Sequence, residues 1–412
     1  MREMKNSGFE WIGTIPCHWN LTRIANLYRV RNQKVSDKDF PPLSVTMKGI
    51  VPQLETAAKT NDGDNRKLVR VGDFAINSRS DRRGSCGISA LDGSVSLINT
   101  VLMPLSEMNP RYYNWLFHTV QFADEYYKCG HGIVDDLWTT TWQEMKKIVI
   151  PTPPLDEQKK IAEFLDTKCS EIDALVADIQ TQIETLEQYK RSTVIETVTK
   201  GLNINVPMKD SGIQWIGKIP ETWDCTRGKY ILNYISKPVK DDDGVITCFR
   251  DGEVTLRSKR REEGFTMADK EIGYQGIDIG DLVVHGMDGF AGAIGISDSR
   301  GKASPVLNVL ETKQNKRYIM YFLRSMAYGD VFLALATGIR VRSCDLRWNK
   351  LAELFYPIPP MEEQSEIVKH IDRVIEETNE IIADKKEQIA TLESYKKSII
   401  FEYVTGKKEI VQ

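Results

Sequence analysis

Two stretches of the chain carry the pattern of apolar and polar positions that is typical of long helices. Residues 156–200 and 362–405 contain no proline or glycine and are rich in Glu, Gln, Lys, Leu, Ile and Ala, which favour helix. Acidic residues at both starts complement the helix dipole, and Gly201 and Gly406 stand where glycine commonly ends a helix. The pattern predicts one helix from Asp156 to about Lys200 and another from Glu362 to about Thr405.

Apolar residues recur along both predicted helices at alternating intervals of three and four, the spacing of a coiled-coil seam. Six of nine positions in each ladder are apolar. The ladders are Leu165, Lys168, Ile172, Leu175, Ile179, Gln182, Leu186, Tyr189 and Thr193, and Ile371, Val374, Thr378, Ile381, Lys385, Gln388, Leu392, Tyr395 and Ile399. Covalent linkage favours pairing within the chain, with homodimerisation as the alternative. An antiparallel pair would place the two remaining regions at opposite ends of a rod.

Outside these helices the pattern changes to short strand-like runs separated by Gly and Asp turns. The runs lie at 67–76, 97–103, 281–285 and 293–296, and helical stretches follow at 112–117 and 318–323. Each half is therefore predicted to form a compact α+β domain.

The chain repeats itself at an offset of about 206 residues. SGFEWIGTIPCHW (residues 7–19) recurs as SGIQWIGKIPETW (211–223), with eight of thirteen positions identical. PTPPLDEQ (151–158) recurs as PIPPMEEQ, and TLEQYKRS (185–192) recurs as TLESYKKS. These frame segments are shared while the residues between them diverge. The pattern indicates a pseudo-two-fold protein that reads two different targets. A duplication that produced two ordinary domains is the simpler alternative.

The composition argues against several classes of protein but does not by itself indicate a function. No apolar run approaches the length of a membrane span, and 41% apolar with 27% charged residues is ordinary for a globular protein, so we predict a cytoplasmic location. The seven scattered cysteines include no Cys-x-x-Cys pair, which argues against a zinc site or a disulfide framework. The net charge of −3 says little about DNA binding, because phosphate affinity depends on local basic patches.

Basic residues cluster in the divergent loops. Arginine can bind a guanine edge through two hydrogen bonds or hold a phosphate. The predicted DNA-binding residues are Arg79, Arg82 and Arg83 in the first half, and Arg250, Arg257, Lys259, Arg260, Arg340 and Arg342 in the second. A charged, solvated surface is the alternative for each of them.

We expect no catalytic residue, metal or cofactor in this chain. No phosphate-binding loop, metal-ligand cluster or nucleophile constellation is visible. Asn109-Pro110-Arg111-Tyr112 faintly resembles the Asn-Pro-Pro-Tyr motif of amino-group methyltransferases but lacks its second proline. Residues 289–295 are glycine-rich, yet their counterpart in the first half has no comparable loop.

The frame segments and their second copies resemble those of the specificity subunits of Type I restriction-modification systems, over essentially the full chain. Residues 73–89 and 281–297 also resemble target-recognition segments of that family. The resemblance implies two target-recognition domains, each reading one half of a gapped DNA site, with two long helices between them as an antiparallel coiled coil. It also implies two methyltransferase subunits docked on the helices, joined by translocating restriction subunits. S-adenosylmethionine, ATP and magnesium would then belong to those partners.

The expected division places recognition domains at 1–150 and 202–356 and helical spacers at 151–201 and 357–412. Two alternatives stay open. The chain could itself modify or cut DNA, which a cofactor-binding assay on the isolated chain would test. It could instead be a coiled-coil adaptor without sequence-specific recognition, which would bind duplexes without sequence preference once salt suppresses the phosphate contacts.

Overall fold

The computed structural model of the protein describes residues 2–54, 63–79, 82–105, 107–132, 138–203, 205–260, 272–335 and 346–410. These residues pack as two units, Met1–Ile179 with Lys386–Gln412, and Gln180–Lys385. Each unit therefore combines one globular α+β region with part of each long helix. The predicted division into four consecutive segments stays a prediction.

The first globular region is made of short antiparallel strands and short helices. Its elements are β1 (Met4–Asn6), β2 (Thr14–Pro16), β3 (Asn20–Arg23), β4 (Tyr28–Val30), β5 (Lys34–Val35), β6 (Leu43–Thr46), β7 (Gly49–Pro52), β8 (Arg66–Val69), β9 (Phe74–Asn77), β10 (Cys86–Ile88), β11 (Gly93–Val95), β12 (Asn99–Pro104), α1 (Pro110–Phe117), α2 (Val120–Lys128), α3 (Trp142–Met145) and β13 (Val149–Thr152). The central sheet has the order β10-β9-β12-β4, beside a β11-β8-β5 sheet and the pairs β1-β2, β6-β7 and β13-β3.

The second globular region repeats this arrangement. After α4 (Leu155–Lys200) come β14 (Met208–Asp210), β15 (Lys218–Pro220), β16 (Asp224–Arg227), β17 (Leu232–Ile235), β18 (Ile246–Cys248), β19 (Val254–Leu256), β20 (Gln275–Ile277), β21 (Leu282–His285), β22 (Ile294–Ile296), β23 (Gly301–Ala303), β24 (Leu307–Thr312), α5 (Lys316–Tyr328), α6 (Val331–Ala334), α7 (Trp348–Leu351), β25 (Phe355–Ile358) and α8 (Met361–Val404). The central sheet β17-β24-β21-β22 has the strand order of its counterpart. The predicted α+β class and internal repeat are confirmed.

Large aromatic side chains fill both cores at matching positions. Trp19 and Tyr112 are fully buried in the first unit, and Trp223 and Tyr318 are fully buried in the second. Burial of one such side chain stabilises the fold by roughly 1.5–3 kcal/mol. The repeated segments 7–19 and 211–223 therefore each place their last residue, Trp19 or Trp223, in a core.

The long helices begin and end within a residue of the predicted bounds, at Leu155–Lys200 and Met361–Val404. At the first start, Gln158 donates from Nε2 to the carbonyl of Pro153 (2.8 Å) and accepts from the backbone N–H of Asn109 (2.9 Å). At the ends, Gly201 and Gly406 have φ values of +76° and +69°, the left-handed conformation that terminates a helix and favours glycine.

Within each unit the two helices run antiparallel. In the first unit, the rings of Phe164 and Tyr403 lie 4.4 Å apart, and Lys396 donates to Asp173 over 2.6 Å. In the second unit, Lys385 bonds Gln182 (2.5 Å) and Lys190 bonds Asn379 (2.9 Å). Rising numbers on α4 meet falling numbers on α8 in both units, which confirms the predicted pairing.

The predicted seam is wrong at several of its positions, although Val374 is buried as predicted. Leu175 and Tyr189 are exposed to 53% and 55%, although the prediction placed them in the seam. The observed seam residues are Leu165, Cys169, Ile172, Val176, Ile179, Ile183, Leu186 and Lys190 in α4, and Ile371, Ile375, Thr378, Ile382, Lys385, Ile389, Leu392, Lys396 and Ile399 in α8. Apolar residues beside the seam, such as Leu175 and Tyr189, gave the wrong heptad phase a score close to that of the observed one. In the true phase, Lys190 and Lys396 cover the seam with their aliphatic stems.

Candidate nucleic-acid interface

In both units a hairpin turn packs against the edge strand of the central sheet, β10 or β22, and against the loop before that strand. A Cβ on Gly87 would lie 2.8 Å from the Cα of Gly49 in the first unit, and a Cβ on Gly295 would lie 1.9 Å from the carbonyl oxygen of Gly252 in the second. Only glycine allows backbones to approach this closely. We call this surface the turn edge. It comprises residues 46–49 and 77–86 in the first unit, without 80 and 81, and residues 249–253, 260 and 285–294 in the second.

The turn edge of the first unit brings Arg79, Arg82 and Arg83 together. All three are exposed, and the loop is tied by bonds from the N–H of Arg82 to the carbonyl of Arg79 (3.3 Å) and from the N–H of Arg79 to the Asn77 side chain (3.0 Å). No hydrogen bond or ion pair joins the Arg79 guanidinium to another described residue. These contacts place three cations on one short loop.

Arg83 is held in place by α2. Its guanidinium carbon lies 3.9 Å from the ring centroid of Tyr127, and its Nη1 donates to Asp124 over 3.0 Å. Trp138 packs on Tyr127 with ring centroids 5.6 Å apart and donates to the Tyr127 carbonyl over 2.9 Å. An arginine stacked on a rigid aromatic ring loses less conformational freedom when it binds a ligand.

The turn edge of the second unit carries Arg250 and Arg260. Arg250 is 68% exposed and donates to Asp288 over 2.9 Å. Arg260 lies 4.2 Å from the ring centroid of Phe249 and bonds Asp251 and Glu253. The hydrogen bond to Asp251 raises the pKa of Arg260. The same bond holds the pKa of Asp251 below its usual value.

Two other predicted residues lie beside this edge, on the 3-10 turn Arg257–Lys259. Arg257 donates to Thr247 over 3.2 Å, and Lys259 donates to Ser299 over 2.7 Å. Both are thereby anchored to neighbouring strands and loops. Arg340 and Arg342 lie outside the described residues, so their positions stay predictions.

The two partial motif matches have structural roles. Asn109 caps α1, because its side chain accepts from the backbone N–H groups of Arg111 (3.0 Å) and Tyr112 (3.4 Å). The glycine-rich segment forms a 3-10 turn, Gly289–Ala291, and leads into β22. Helix capping and a tight turn account for both patterns.

Sequence reasoning missed three residues at these edges. Met47 and Lys48 are exposed at the tip of the β6-β7 hairpin, and Arg324 of α5 donates to the carbonyl of Asp251 over 2.6 Å. The hairpin is the counterpart of the one that carries Arg250, but the two share no residue pattern. The hairpin residues can therefore be recognised only by comparing the folds of the two units.

The described residues contain neither a metal-binding cluster nor a membrane-spanning helix. Among them, no three His, Cys, Asp or Glu side chains come together as a metal site would require. None of their helices combines the length and apolar character needed to cross a bilayer.

Comparisons with known proteins agree with one another. The family model for the Type I restriction modification DNA specificity domain matches residues 18–185 and 274–391. The chain is 26% identical to the Type I restriction enzyme MjaVIII specificity subunit of Methanocaldococcus jannaschii, over 95% of this chain and 93% of that protein. It is 24% identical to the EcoBI specificity subunit of Escherichia coli, over 64% and 59%.

Solved structures share the fold. A chain from work on "complex assembly and conformational transition of the type I R-M system" superposes with a TM-score of 0.68 at 14% identity, covering 96% of this chain and 99% of that one. The HsdS subunit from Thermoanaerobacter tengcongensis gives 0.52 at 15% identity, over 98% and 100%. Nothing in these similarities supports a coiled-coil adaptor. The chain belongs to the Type I restriction modification DNA specificity family and is a specificity subunit.

Proposed function

We propose that each unit reads one half of a two-part site on double-stranded DNA through its turn edge. One observation carries the proposal: the same edge occurs in both units with different side chains. The first presents Arg79, Arg82 and Arg83, and the second presents Arg250 and Arg260. Two domains that share a fold but present different surface side chains allow one protein to read two different half-sites.

The ion pairs at these edges are compatible with DNA binding. Arg83, Arg250 and Arg260 pair with exposed carboxylates, and such surface pairs are worth only about 0–1 kcal/mol. A phosphate or a guanine edge can replace the carboxylate at little cost and form two bonds with the guanidinium. The proposed DNA-binding set is Arg79, Arg82, Arg83, Arg250, Arg257, Lys259, Arg260, Arg340 and Arg342.

The chain acts without chemistry of its own in this proposal. Residues 1–150 and 202–356 recognise DNA, and residues 151–201 and 357–412 are helical spacers. Two methyltransferase subunits and the restriction or translocase subunits supply the reactions, with S-adenosylmethionine, ATP and magnesium bound by them. The target base must leave the helix stack to be methylated, and the specificity subunit holds the neighbouring duplex in register.

The flanks of the helix pair support methyltransferase docking. One flank faces the globular part of its own unit: Asp166 accepts from Arg111 (2.7 Å), and Asp372 accepts from Arg317 (2.5 Å). The other flank carries large exposed apolar residues, each one position before a seam residue. They are Leu175 and Tyr395 in the first unit, and Tyr189 and Ile381 in the second.

This apolar flank is duplicated with the repeat. Leu175 corresponds to Ile381, and Tyr189 corresponds to Tyr395, at an offset of 206 residues. Each unit therefore presents one aliphatic and one tyrosine side chain, and exposed apolar patches commonly mark protein interfaces. Two equivalent patches fit a partner that binds in two copies.

The methylation map of the source genome, with and without this gene, tests the proposal. We expect a gapped two-part motif to lose methylation when the gene is removed. Replacing residues 41–149 with the matching segment of a relative should change one half of that motif and preserve the other half. A change in both halves, or a continuous motif, would contradict the assignment of one half-site to each unit.

A further inference from the structure

The second unit contains an open groove of about 640 Å³ that extends from the predicted DNA-binding loops to the long helix α4. One wall is α4, with Lys190 and Arg191, and another is α5, with Arg324 and Tyr328. Arg250 and Asp251 of the turn edge also line it. The groove is therefore continuous with the surface proposed above to read DNA.

Most charges in the groove are already compensated. Lys190 pairs with Glu187 over 2.9 Å, and the carboxylate of Asp251 is bonded by Arg260. Arg250 is paired with Asp288. The charged residues of the groove outside these pairs are Arg191, Arg324 and Asp330.

The two remaining arginines converge on one ring. The guanidinium carbons of Arg191 and Arg324 lie 5.7 and 5.5 Å from the ring centroid of Tyr328. Neither forms an ion pair with a carboxylate among the described residues. The Nη2 of Arg324 donates to a backbone carbonyl, whereas its Nε is buried and has no hydrogen-bond partner.

Two arginines beside one ring form a site that suits an anionic ligand. Two guanidinium groups around one ring repel each other. A tetrahedral anion bound between them would relieve this repulsion and form charge-assisted bonds with their N–H groups. We propose that Arg191 and Arg324 together bind a backbone phosphate of the DNA beside the half-site read by the second unit. This inference rests on the proposed function.

The site gives the long helix a role in affinity as well as in spacing. Arg191 belongs to α4, and Arg324 belongs to α5 of the globular region, so one phosphate links the two elements. The first unit has no equivalent pair. The counterpart of Arg191 is Lys397, and the counterpart of Arg324 is His118. Burial lowers the pKa of His118, which keeps that position uncharged near neutral pH.

Salt titration of DNA binding tests the site. The probe is a duplex that carries the motif found in the methylation map, with the full-length chain in its methyltransferase complex. We expect Arg191→Gln and Arg324→Gln each to weaken binding. The slope of log affinity against log salt should fall by about 0.9, the value for one lost phosphate contact. The preference for the motif over a scrambled duplex should not change, because phosphate contacts carry no sequence information.

Arg373→Gln is the matched control, because Arg373 is 66% exposed on α8 and does not line the groove. It should retain the wild-type slope. An unchanged slope in Arg191→Gln, which alters an exposed residue and so preserves the fold, overturns the phosphate site. A loss of motif preference also overturns it, because the arginines would then read a base. If the wild-type complex itself shows no motif preference, the proposed function fails instead.

Discussion

The indole nitrogen of Trp19 donates a hydrogen bond to the carboxylate of Glu157 over 3.0 Å. Trp223 repeats this bond with Glu363 over 2.9 Å. Each bond joins the end of one frame segment to the first turn of a long helix, which explains why the two segments recur together. Burial raises the pKa of Glu157, but hydrogen bonds from His18 and Trp19 outweigh it and hold that pKa below its usual value.

Trp19→Phe should destabilise the first unit through loss of this bond. A hydrogen bond to a charged group contributes roughly 1.5–3 kcal/mol. Trp11→Phe is the matched control, because Trp11 is also buried but its Nε1 has no partner among the described residues. Urea unfolding followed by circular dichroism should show a larger loss of free energy for Trp19→Phe. Equal losses would mean that the bond contributes nothing beyond packing.

The ends of the long helices are held by buried tyrosines. Tyr112 donates to the carbonyl of Val404 over 2.7 Å, and Tyr318 shares its hydroxyl hydrogen between the carbonyls of Pro357 (2.8 Å) and Val198 (3.1 Å). Removing one such bond costs about 1 kcal/mol, equivalent to roughly five-fold faster local exchange. In hydrogen exchange, Tyr112→Phe should affect residues 399–405 but not 192–200, and Tyr318→Phe should affect residues 192–200 but not 399–405. A response of both segments to either change would contradict this local role.

The sequence predicts the helices and the repeat well because their signals are local. Gly201 and Gly406 mark the ends, and the Pro-Pro and acidic residues mark the starts. The heptad phase is not predictable in this way, because Leu175 is as apolar as Val176. Only the packing against α8 decides which of the two is buried.

The candidate site is predictable only as a set of cations. Charge and divergence single out Arg83 and Arg260, but the sequence does not reveal that Tyr127 and Phe249 support them. These contacts join residues from separate elements. Arg324 was missed for a related reason: it directly follows the predicted helical stretch 318–323, and its place in the groove depends on the packing of α5 beside α4.

Acid should destabilise the second unit through Asp243. This carboxylate accepts bonds from Nε (2.9 Å) and Nη2 (2.8 Å) of Arg300, which lower its pKa to about 2. Its ordinary value is about 3.9, so the folded state binds the proton less tightly than the unfolded state. The resulting stabilisation is complete above about pH 5 and is lost as the pH falls from about 4 to 2.

Asp243→Asn removes this contribution, which is at most about 2 kcal/mol. Thermal unfolding at several pH values should give a lower melting temperature for the variant than for the wild type at pH 7. This difference in melting temperature should become smaller below pH 4. Arg300 retains Asp278 as a partner in the variant, so the substitution does not leave its guanidinium without an ion pair. An equal difference in melting temperature at pH 3 and pH 7 would show that the ionisation of Asp243 does not cause the difference in stability.

The apolar flank predicts the stoichiometry of the complex. Leu175→Glu combined with Tyr395→Glu places two charges on the flank of the first unit, where a partner would have to bury them at high cost. We expect the purified complex to contain one methyltransferase subunit per specificity subunit instead of two. Tyr189→Glu with Ile381→Glu should do the same through the second unit, and the four changes together should abolish association.

Native mass spectrometry of the co-expressed subunits measures this ratio directly. Gln180→Glu is the control, because it adds a charge at an exposed position of α4 on the flank opposite the four apolar residues. It should leave two copies bound. Circular dichroism distinguishes a lost interface from a melted helix, since all four apolar residues lie outside the seam. Two bound copies in a folded variant with all four changes would exclude this flank and move the docking surface elsewhere.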